Sequence, residues 1–495
     1  MKKAQAFGHF IGGKPVKSAG GQTFPSLNPA NPSEVLGQFQ SGTAEDVRAA
    51  VDAAERAFGP WSSLPAPRRG EILLKAAQLL RQRKEALARL VTLEMGKVLP
   101  EARGDVQEAI DVTEYMAGEG RRLFGHTTPS ELPDKLCMTL RRPIGVCGLI
   151  TPWNFPTAIP AWKITAALIC GNTVVFKPAS DTPLCAYKLV ETLVDAGLPK
   201  GVVNLVTGAG ETVGAEIVKH RKIRAISFTG SRSVGEFVLK NAGIKRVGLE
   251  LGGKNAVIVM DDADLKLAVD GVIWGAFGTT GQRCTAASRV IVHKKVKQAF
   301  TRQLLARAWK LKAGNGLKPG TDLGPLINAA AVEKVHRYTQ IGVDEGAGLL
   351  CGGKRLPGKG FFYPPTLFDN VQPGMRIARE EIFGPTLSVL ECSSLKEAIA
   401  LSNSIEYGLS SSIYTRDIRS AMKAIEGLEA GITYINSSTI GAEVHLPFGG
   451  VKASGNGTRE GGIHGIDEFS ETKTVYIDYS GRLQKAQIDV VKVKR

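Results

Sequence analysis

Residues Ile144-Gly145-Val146-Cys147-Gly148-Leu149-Ile150-Thr151-Pro152-Trp153-Asn154-Phe155-Pro156 mark a change of texture in the chain. The apolar run 146–150 is short and bounded by turn residues, which predicts a buried strand; 156–169 follows with helical spacing. The alternation then repeats. Strand-like runs at 173–176, 202–206, 225–228 and 247–250 are separated by helical runs at 183–196, 211–220 and 234–241. This rhythm predicts an α/β fold with a doubly wound parallel sheet, in which ligands sit at the carboxyl ends of the strands.

Outward from this region the texture differs on each side. Before it, short extended pieces at Phe10-Ile11 and Val35-Leu36 predict a small sheet. Helical patterns follow at 47–58, at 68–94 as one long amphipathic helix, and at 103–122; these read as packing surface. After it, a second alternating region runs from 256 to 451, with strands at 257–259, 290–292 and 413–414. Residues 474–477 return to β texture, and Val491-Lys492-Val493-Lys494-Arg495 form a small basic tail. At 495 residues the chain exceeds one hydrophobic core, so two or three domains are expected.

Composition narrows the function classes. The net charge of +16 admits an anionic partner, but Lys and Arg are scattered, without a long basic block or aromatic interleaving. That favours a basic enzyme surface over nucleic-acid binding. The seven cysteines are odd in number and lack Cys-x-x-Cys spacing, which argues against a disulfide framework and a zinc site; the histidines are dispersed, so no metal site is expected. No run approaches the roughly 18 apolar residues of a membrane span. The N-terminus lacks the pattern of a signal peptide, so the protein reads as cytoplasmic.

Several motifs carry chemistry. Gly278-Thr279-Thr280-Gly281-Gln282-Arg283-Cys284-Thr285-Ala286 places one cysteine in a glycine-marked loop between a helix and a strand. A small molecule can reach a thiol there, and Arg283 beside it would favour the thiolate; an inert, half-buried cysteine is the alternative. Asn154, in a rigid proline-flanked turn, is either an oxyanion donor or a cap on the next helix. Glu250, at a strand's carboxyl end, is either a general base or a surface carboxylate. Thr207-Gly208-Ala209-Gly210 and Phe228-Thr229-Gly230-Ser231 each join a strand to a helix. They offer backbone N–H groups to a pyrophosphate, or are plain turns.

With Lys177-Pro178-Ala179-Ser180, Glu380-Glu381-Ile382-Phe383-Gly384-Pro385 and Pro447-Phe448-Gly449-Gly450, these motifs occur in an order that resembles the aldehyde dehydrogenase superfamily, from about residue 10 to 480. The resemblance implies two doubly wound open-sheet domains plus a β-arm that joins subunits. The nicotinamide-binding domain would take 1–122 and 144–255, the catalytic domain 256–452, and the arm and C-terminal tail 123–143 and 471–495. The tail is expected to cross onto a neighbour in a homodimer or homotetramer.

The same resemblance implies the site. Cys284 would attack an aldehyde, Asn154 would hold the oxyanion, Glu250 would activate water, and Lys163 and Glu460 would relay protons. The cofactor, NAD or NADP, would lie against Ile150, Trp153, Lys177, Ser180, Gly210, Phe228, Gly230, Ser231, Gly235, Leu251, Glu381 and Phe383. Ser180 stands where strictly NAD-dependent relatives often have Glu, whose charge would repel a 2′-phosphate. Phe155, Ile159, Trp162, Arg283, Thr285 and Phe448 would line the substrate tunnel. Gly441-Ala442-Glu443-Val444-His445 is similar to the branch acting on semialdehydes of dicarboxylic acids, α-ketoglutarate and aminoadipate semialdehydes among them. Competing readings are a CoA-acylating relative and, suggested only by the basic charge balance, a non-enzymatic, nucleic-acid-binding or structural role.

Overall fold

The apolar runs of 144–250 pair side by side because each is buried on both faces. In the computed structural model, which describes residues 5–488, the sheet order is Arg246–Glu250, Ile223–Thr229, Val146–Ile150, Thr173–Lys177, Val203–Leu205, His9–Ile11, Lys14–Val16. The first five strands are parallel and the last two are antiparallel additions. Alternate side chains feed two cores. Cys147, Leu149, Val174 and Phe176 pack on one face with the helix Ala158–Ile169. Val146, Val175, Ile226 and Leu249 pack on the other with Val47, Val51 and Ala54 of the helix Ala44–Ser63. That helix starts where its sequence says it should: Thr43 and Asp46 form a reciprocal capping box.

The second region builds a seven-stranded sheet in the order Gly348–Cys351, Thr366–Asp369, Thr386–Cys392, Ala287–His293, Asn255–Val259, Ser410–Tyr414, Ile432–Ile435. Only the first of these runs antiparallel. A third sheet joins distant parts of the chain. Lys135–Pro143 pairs antiparallel with Ser470–Asp478 along its full length, and Thr127–Pro129 adds an edge. Among the described residues no helix is long and apolar enough to cross a membrane.

Three expectations change. The 68–94 helix is two, Ala66–Gln82 and Lys84–Met95, broken at Arg83. Its guanidinium is drawn to Thr192 and Asp195, a tertiary tie that no proline or glycine announces. Phe10-Ile11 and Val35-Leu36 lie in different sheets: the first extends the large sheet, and the second pairs with Thr23–Asn28. The 211–220 helix begins as a wide π turn, Gly210–Gly214, before one α turn, Ala215–Lys219. The basic tail 491–495 lies outside the described residues.

Candidate active site

Cys284 sits after three successive left-handed residues. Thr279, Thr280 and Gly281 have φ of 52°, 57° and 70°. For the β-branched threonines this is strained and persists only when neighbours hold it. Glu101 accepts the Thr279 N–H at 2.8 Å, and the Thr280 hydroxyl donates to the Gly324 carbonyl at 3.0 Å. A side chain on Gly281 would collide with the Gly384 carbonyl. The Gln282 amide donates to the Thr279 and Pro325 carbonyls and accepts from the Ile327 N–H. Asn255 then donates to the carbonyls of Cys284 and Ala286, at 2.7 and 2.9 Å. The Gly-Thr-Thr-Gly-Gln spelling is a mount for the thiol that follows it.

Two cavities meet at that thiol. One, of about 260 Å³, is lined by Trp153, Asn154, Gly230, Ser231, Leu251, Glu381 and Phe383 among others. The other, of about 140 Å³, is lined by Phe155, Trp162, Glu250, Thr285, Phe448 and Glu460 among others. Cys284, Ile159 and Thr229 belong to both. Glu250 is buried, not a surface residue, and among the described residues neither of its oxygens has a hydrogen-bond partner. Burial, and then the Glu460 charge, push its pKa well above the carboxylate range. Burial, and then the Glu250 and Glu381 charges, push the Cys284 thiol up to about 12, against the backbone N–H groups of Thr285 and Cys284. The free protein therefore holds a neutral thiol near neutral pH.

Asn154 does not cap a helix; Thr157 occupies that place before Ala158–Ile169. Its amide donates to the Gln282 carbonyl at 3.1 Å, two residues before the thiol. Lys163 and Glu460 form a buried ion pair, and Lys163 Nζ also donates to Ser227 at 2.8 Å.

The expected cofactor residues follow the carboxyl edge of the parallel sheet. Ile150 and Lys177 end their strands, and Gly210, Ser231 and Leu251 lie just past theirs. Burial lowers Lys177 to about 8, and its Nζ donates to the Pro178 carbonyl at 2.9 Å. Ser180 donates to the Gly208 carbonyl at 3.0 Å. A side chain at Gly210 would meet nothing within 4 Å, so this turn is open, whereas one at Gly235 would press on Leu251. Trp153 meets Phe383 edge-on at 5.4 Å. Glu381 accepts the Gly253 N–H at 2.9 Å. Buried Asn154 Oδ1 and Thr229 Oγ1, both on residues of the larger cavity, have no hydrogen-bond partner among the described residues. These features fit a polar, planar group flanked by aromatics, as a nicotinamide dinucleotide is. Like Ile150, Lys177, Ser180, Gly210 and Gly235, Phe228 lines neither cavity; its ring is buried beneath Gly230 in the core.

On the other side, Phe155, Ile159, Trp162, Thr285 and Phe448 surround the smaller cavity, with Trp162 and Phe448 edge-to-face at 6.0 Å. Arg283 lines it too, but not as expected. Its guanidinium donates to Thr279 Oγ1 at 2.8 Å, reaches Glu101 at 3.4 Å, and lies over Trp274 and Phe155 at 5.1 and 5.3 Å. Its contacts are to Thr279, Glu101 and the two rings, not to the sulfur, so it lines the cavity instead of serving as the thiolate's counter-ion. It opens onto an outer vestibule of about 630 Å³ shared with Glu101, Asp105 and Glu108.

This vestibule corrects the view that the N-terminal helices only pack. Leu99–Glu119 presents Glu101, Asp105 and Glu108, at i, i+4 and i+7, to the cavity wall. That spacing puts three acids on one face and was the available signal. Burial, and then Asp105, push Glu108 up to about 7. Thr229 and Lys334 also line the larger cavity; Thr229 lay within a quoted motif, while nothing in the sequence marked Lys334.

A strained cysteine loop between a dinucleotide-type sheet edge and a second cavity holding a free carboxylate defines a thiol-dependent dehydrogenase. The chain belongs to the aldehyde dehydrogenase family, whose model matches residues 16–475. It is 43% identical over 475 residues to alpha-ketoglutaric semialdehyde dehydrogenase of Bacillus subtilis, covering 95% of this chain and 97% of the relative. It is 45% identical over 480 residues to alpha-ketoglutarate semialdehyde dehydrogenase of Haloferax volcanii, covering 95% and 99%. The crystal structure of an NAD-dependent aldehyde dehydrogenase from Sinorhizobium meliloti matches with a TM-score of 0.95 at 40% identity, covering 98% of this chain and 97% of that one. The protein is an enzyme that oxidises an aldehyde to a carboxylic acid with NAD or NADP.

Proposed function

We propose that Cys284 is the nucleophile, Asn154 and the Cys284 backbone N–H the oxyanion donors, and Glu250 the base of a hydrolytic aldehyde dehydrogenase acting on a semialdehyde of a dicarboxylic acid. The observation that carries this is the meeting of two cavities at one thiol, with Glu250 in the smaller one. The thiolate sulfur bonds to the aldehyde carbon, and the oxygen takes the negative charge against the N–H donors. When bound in the larger cavity, the cofactor supplies the hydride acceptor. Cys284 is then left as a thioester. Glu250 takes a proton from water as the water oxygen bonds to the thioester carbon, and the C–S bond breaks to release the acid. Lys163 and Glu460 receive that proton. An unpartnered carboxylate in the thiol's cavity favours water over CoA as the acyl acceptor.

Arg283, at the border of tunnel and vestibule, is the partner for the substrate's distal carboxylate. The names of the two semialdehyde-oxidising relatives support α-ketoglutarate semialdehyde as the first aldehyde to test. Domain roles follow the sheets: cofactor binding to 1–122 and 144–255, catalysis to 256–452. The arm carries exposed Leu136, Leu140, Tyr476 and Ile477, an apolar surface suited to joining subunits of a cytoplasmic homodimer or homotetramer. The substrate reading is tested by comparing α-ketoglutarate semialdehyde with propanal. It expects kcat/KM at least about 10-fold higher for the charged aldehyde, in line with one charge-assisted hydrogen bond; equal values would overturn it.

A further inference from the structure

Two polar groups beyond Glu250, Glu460 and Lys163 play no part in the steps above. Ser227 and Gly248 are register partners on adjacent strands, one two-residue step deeper than the pair Thr229 and Glu250. They therefore share the sheet face on which Glu250 lies. The Ser227 hydroxyl accepts from Lys163 at 2.8 Å and donates to Glu460 Oε1 at 3.5 Å, the outer limit of a hydrogen bond. Against Gly248 lies the carboxylate of Glu468, the last residue of the helix Gly462–Glu468; a side chain at 248 would collide with it. Glu468 is buried; among the described residues its oxygens complete no hydrogen bond of full geometry, and the Ser227 hydroxyl is the side-chain donor that favours its charged form. A buried ionised carboxylate in that condition is costly, and a protonated one much less so. One further two-residue step along the same strand, Arg246 is exposed to solvent and donates to the carbonyls of Asp467, Glu468 and Ser470. The groups run in file from the cavity to the surface.

We infer that Glu468 is the terminal proton acceptor of a relay, Glu250–Glu460–Lys163–Ser227–Glu468, that clears Glu250 after each hydrolysis; this rests on the hydrolytic reading above. Glu250 passes the proton taken from water across the cavity that it shares with Glu460. Glu460 gives it to Lys163 as the Lys163 ammonium gives one to the Ser227 oxygen. Ser227 gives its own hydroxyl proton to Glu468, which releases it past Arg246. No electrons move, and water is the only co-reactant. The charged and titratable groups facing Glu468 are Glu460, Glu250, Lys163 and Arg246, with Cys147 on the strand Val146–Ile150 beside that of Ser227. Burial, and then Glu460, raise Glu468 to about 7, which suits it to take and give a proton near neutrality.

The test compares Glu468→Gln, Glu468→Asp and Ser227→Ala with wild type in rapid mixing, steady state and increasing imidazole buffer. The relay expects both Glu468→Gln and Ser227→Ala to keep the burst of reduced cofactor but lose at least about 10-fold in kcat, the low side of what a proton-transfer group contributes. Imidazole should restore part of that rate, and Glu468→Asp most of it. Wild-type kcat in both variants, or a loss that buffer does not touch, overturns the relay. A Cys284→Ala variant that still turns over would instead overturn the parent reading. Should Glu468→Gln fail to fold, Ser227→Ala alone decides, since it leaves every carboxylate in place.

Discussion

Arg283 is the chain neighbour of Cys284, yet its guanidinium is turned toward Glu101, 3.4 Å away on a different helix. The cation beside the nucleophile lines the smaller cavity and the outer vestibule. Replacing it with methionine keeps much of the stem packing on Phe155 and Trp274 and removes the charge. Arg283→Met should lower kcat/KM for a dicarboxylic semialdehyde by about 10- to 100-fold, the worth of a charged hydrogen bond of roughly 1.5–3 kcal/mol. Propanal should be oxidised almost as before. A similar loss for both aldehydes would place Arg283 in loop support alone.

The thiol itself has a pH signature. Burial holds Cys284 up near about 12 in the free protein. Its alkylation by iodoacetamide should therefore keep rising with pH through about pH 10 without a plateau, since only the thiolate reacts. Adding oxidised cofactor, whose nicotinamide ring is cationic, should accelerate labelling at pH 8 by favouring the thiolate. A plateau near pH 7 in the free protein would show a preformed thiolate and contradict the electrostatics described above.

Lys97 and Asp105 make a fully buried ion pair at 3.0 Å, and Asp105 also accepts the Ala158 N–H at 2.7 Å. Lys97 lies over the Phe155 ring at 3.7 Å, so the pair supports the cavity wall. Lys97→Ala should cost about 3–5 kcal/mol in denaturant unfolding, because it strands a buried carboxylate. A loss under about 1 kcal/mol would mean that water reaches Asp105.

Glu468 links stability to pH with a definite sign. Burial and the Glu460 charge raise its folded pKa to about 7 from the ordinary carboxylate value of 4.5. The folded state favours the neutral acid, so its contribution is fully present below pH 4.5 and is lost as pH rises toward 7. Glu468→Gln abolishes that loss. Relative to wild type, the variant should gain up to about 3 kcal/mol between pH 4.5 and pH 8, read as a difference in unfolding free energy. An unchanged difference at the two pH values would show that Glu468 titrates normally.

Much of the fold was legible because the strands 146–150, 173–177 and 255–259 are apolar almost throughout and must be buried on both faces. The residues around the thiol were legible because they stand in short motifs at strand ends. What escaped depends on tertiary contact. Nothing local marks Arg83 as a helix break, since the cause is Thr192 and Asp195, far along the chain. Arg283 looked like a partner of Cys284 by adjacency, but the left-handed run Thr279–Gly281 rotates it toward Glu101. Phe228 belonged to a motif whose glycine and serine reach the cavity, while alternation along the strand sends the ring into the core.

The most direct test of the mechanism is cofactor reduction, followed by absorbance, with wild type and Cys284→Ala, crossing NAD and NADP with propanal, succinate semialdehyde and α-ketoglutarate semialdehyde. The mechanism predicts turnover that vanishes in the variant and is fastest with a dicarboxylic semialdehyde. Turnover that survives the loss of the Cys284 thiol would contradict it.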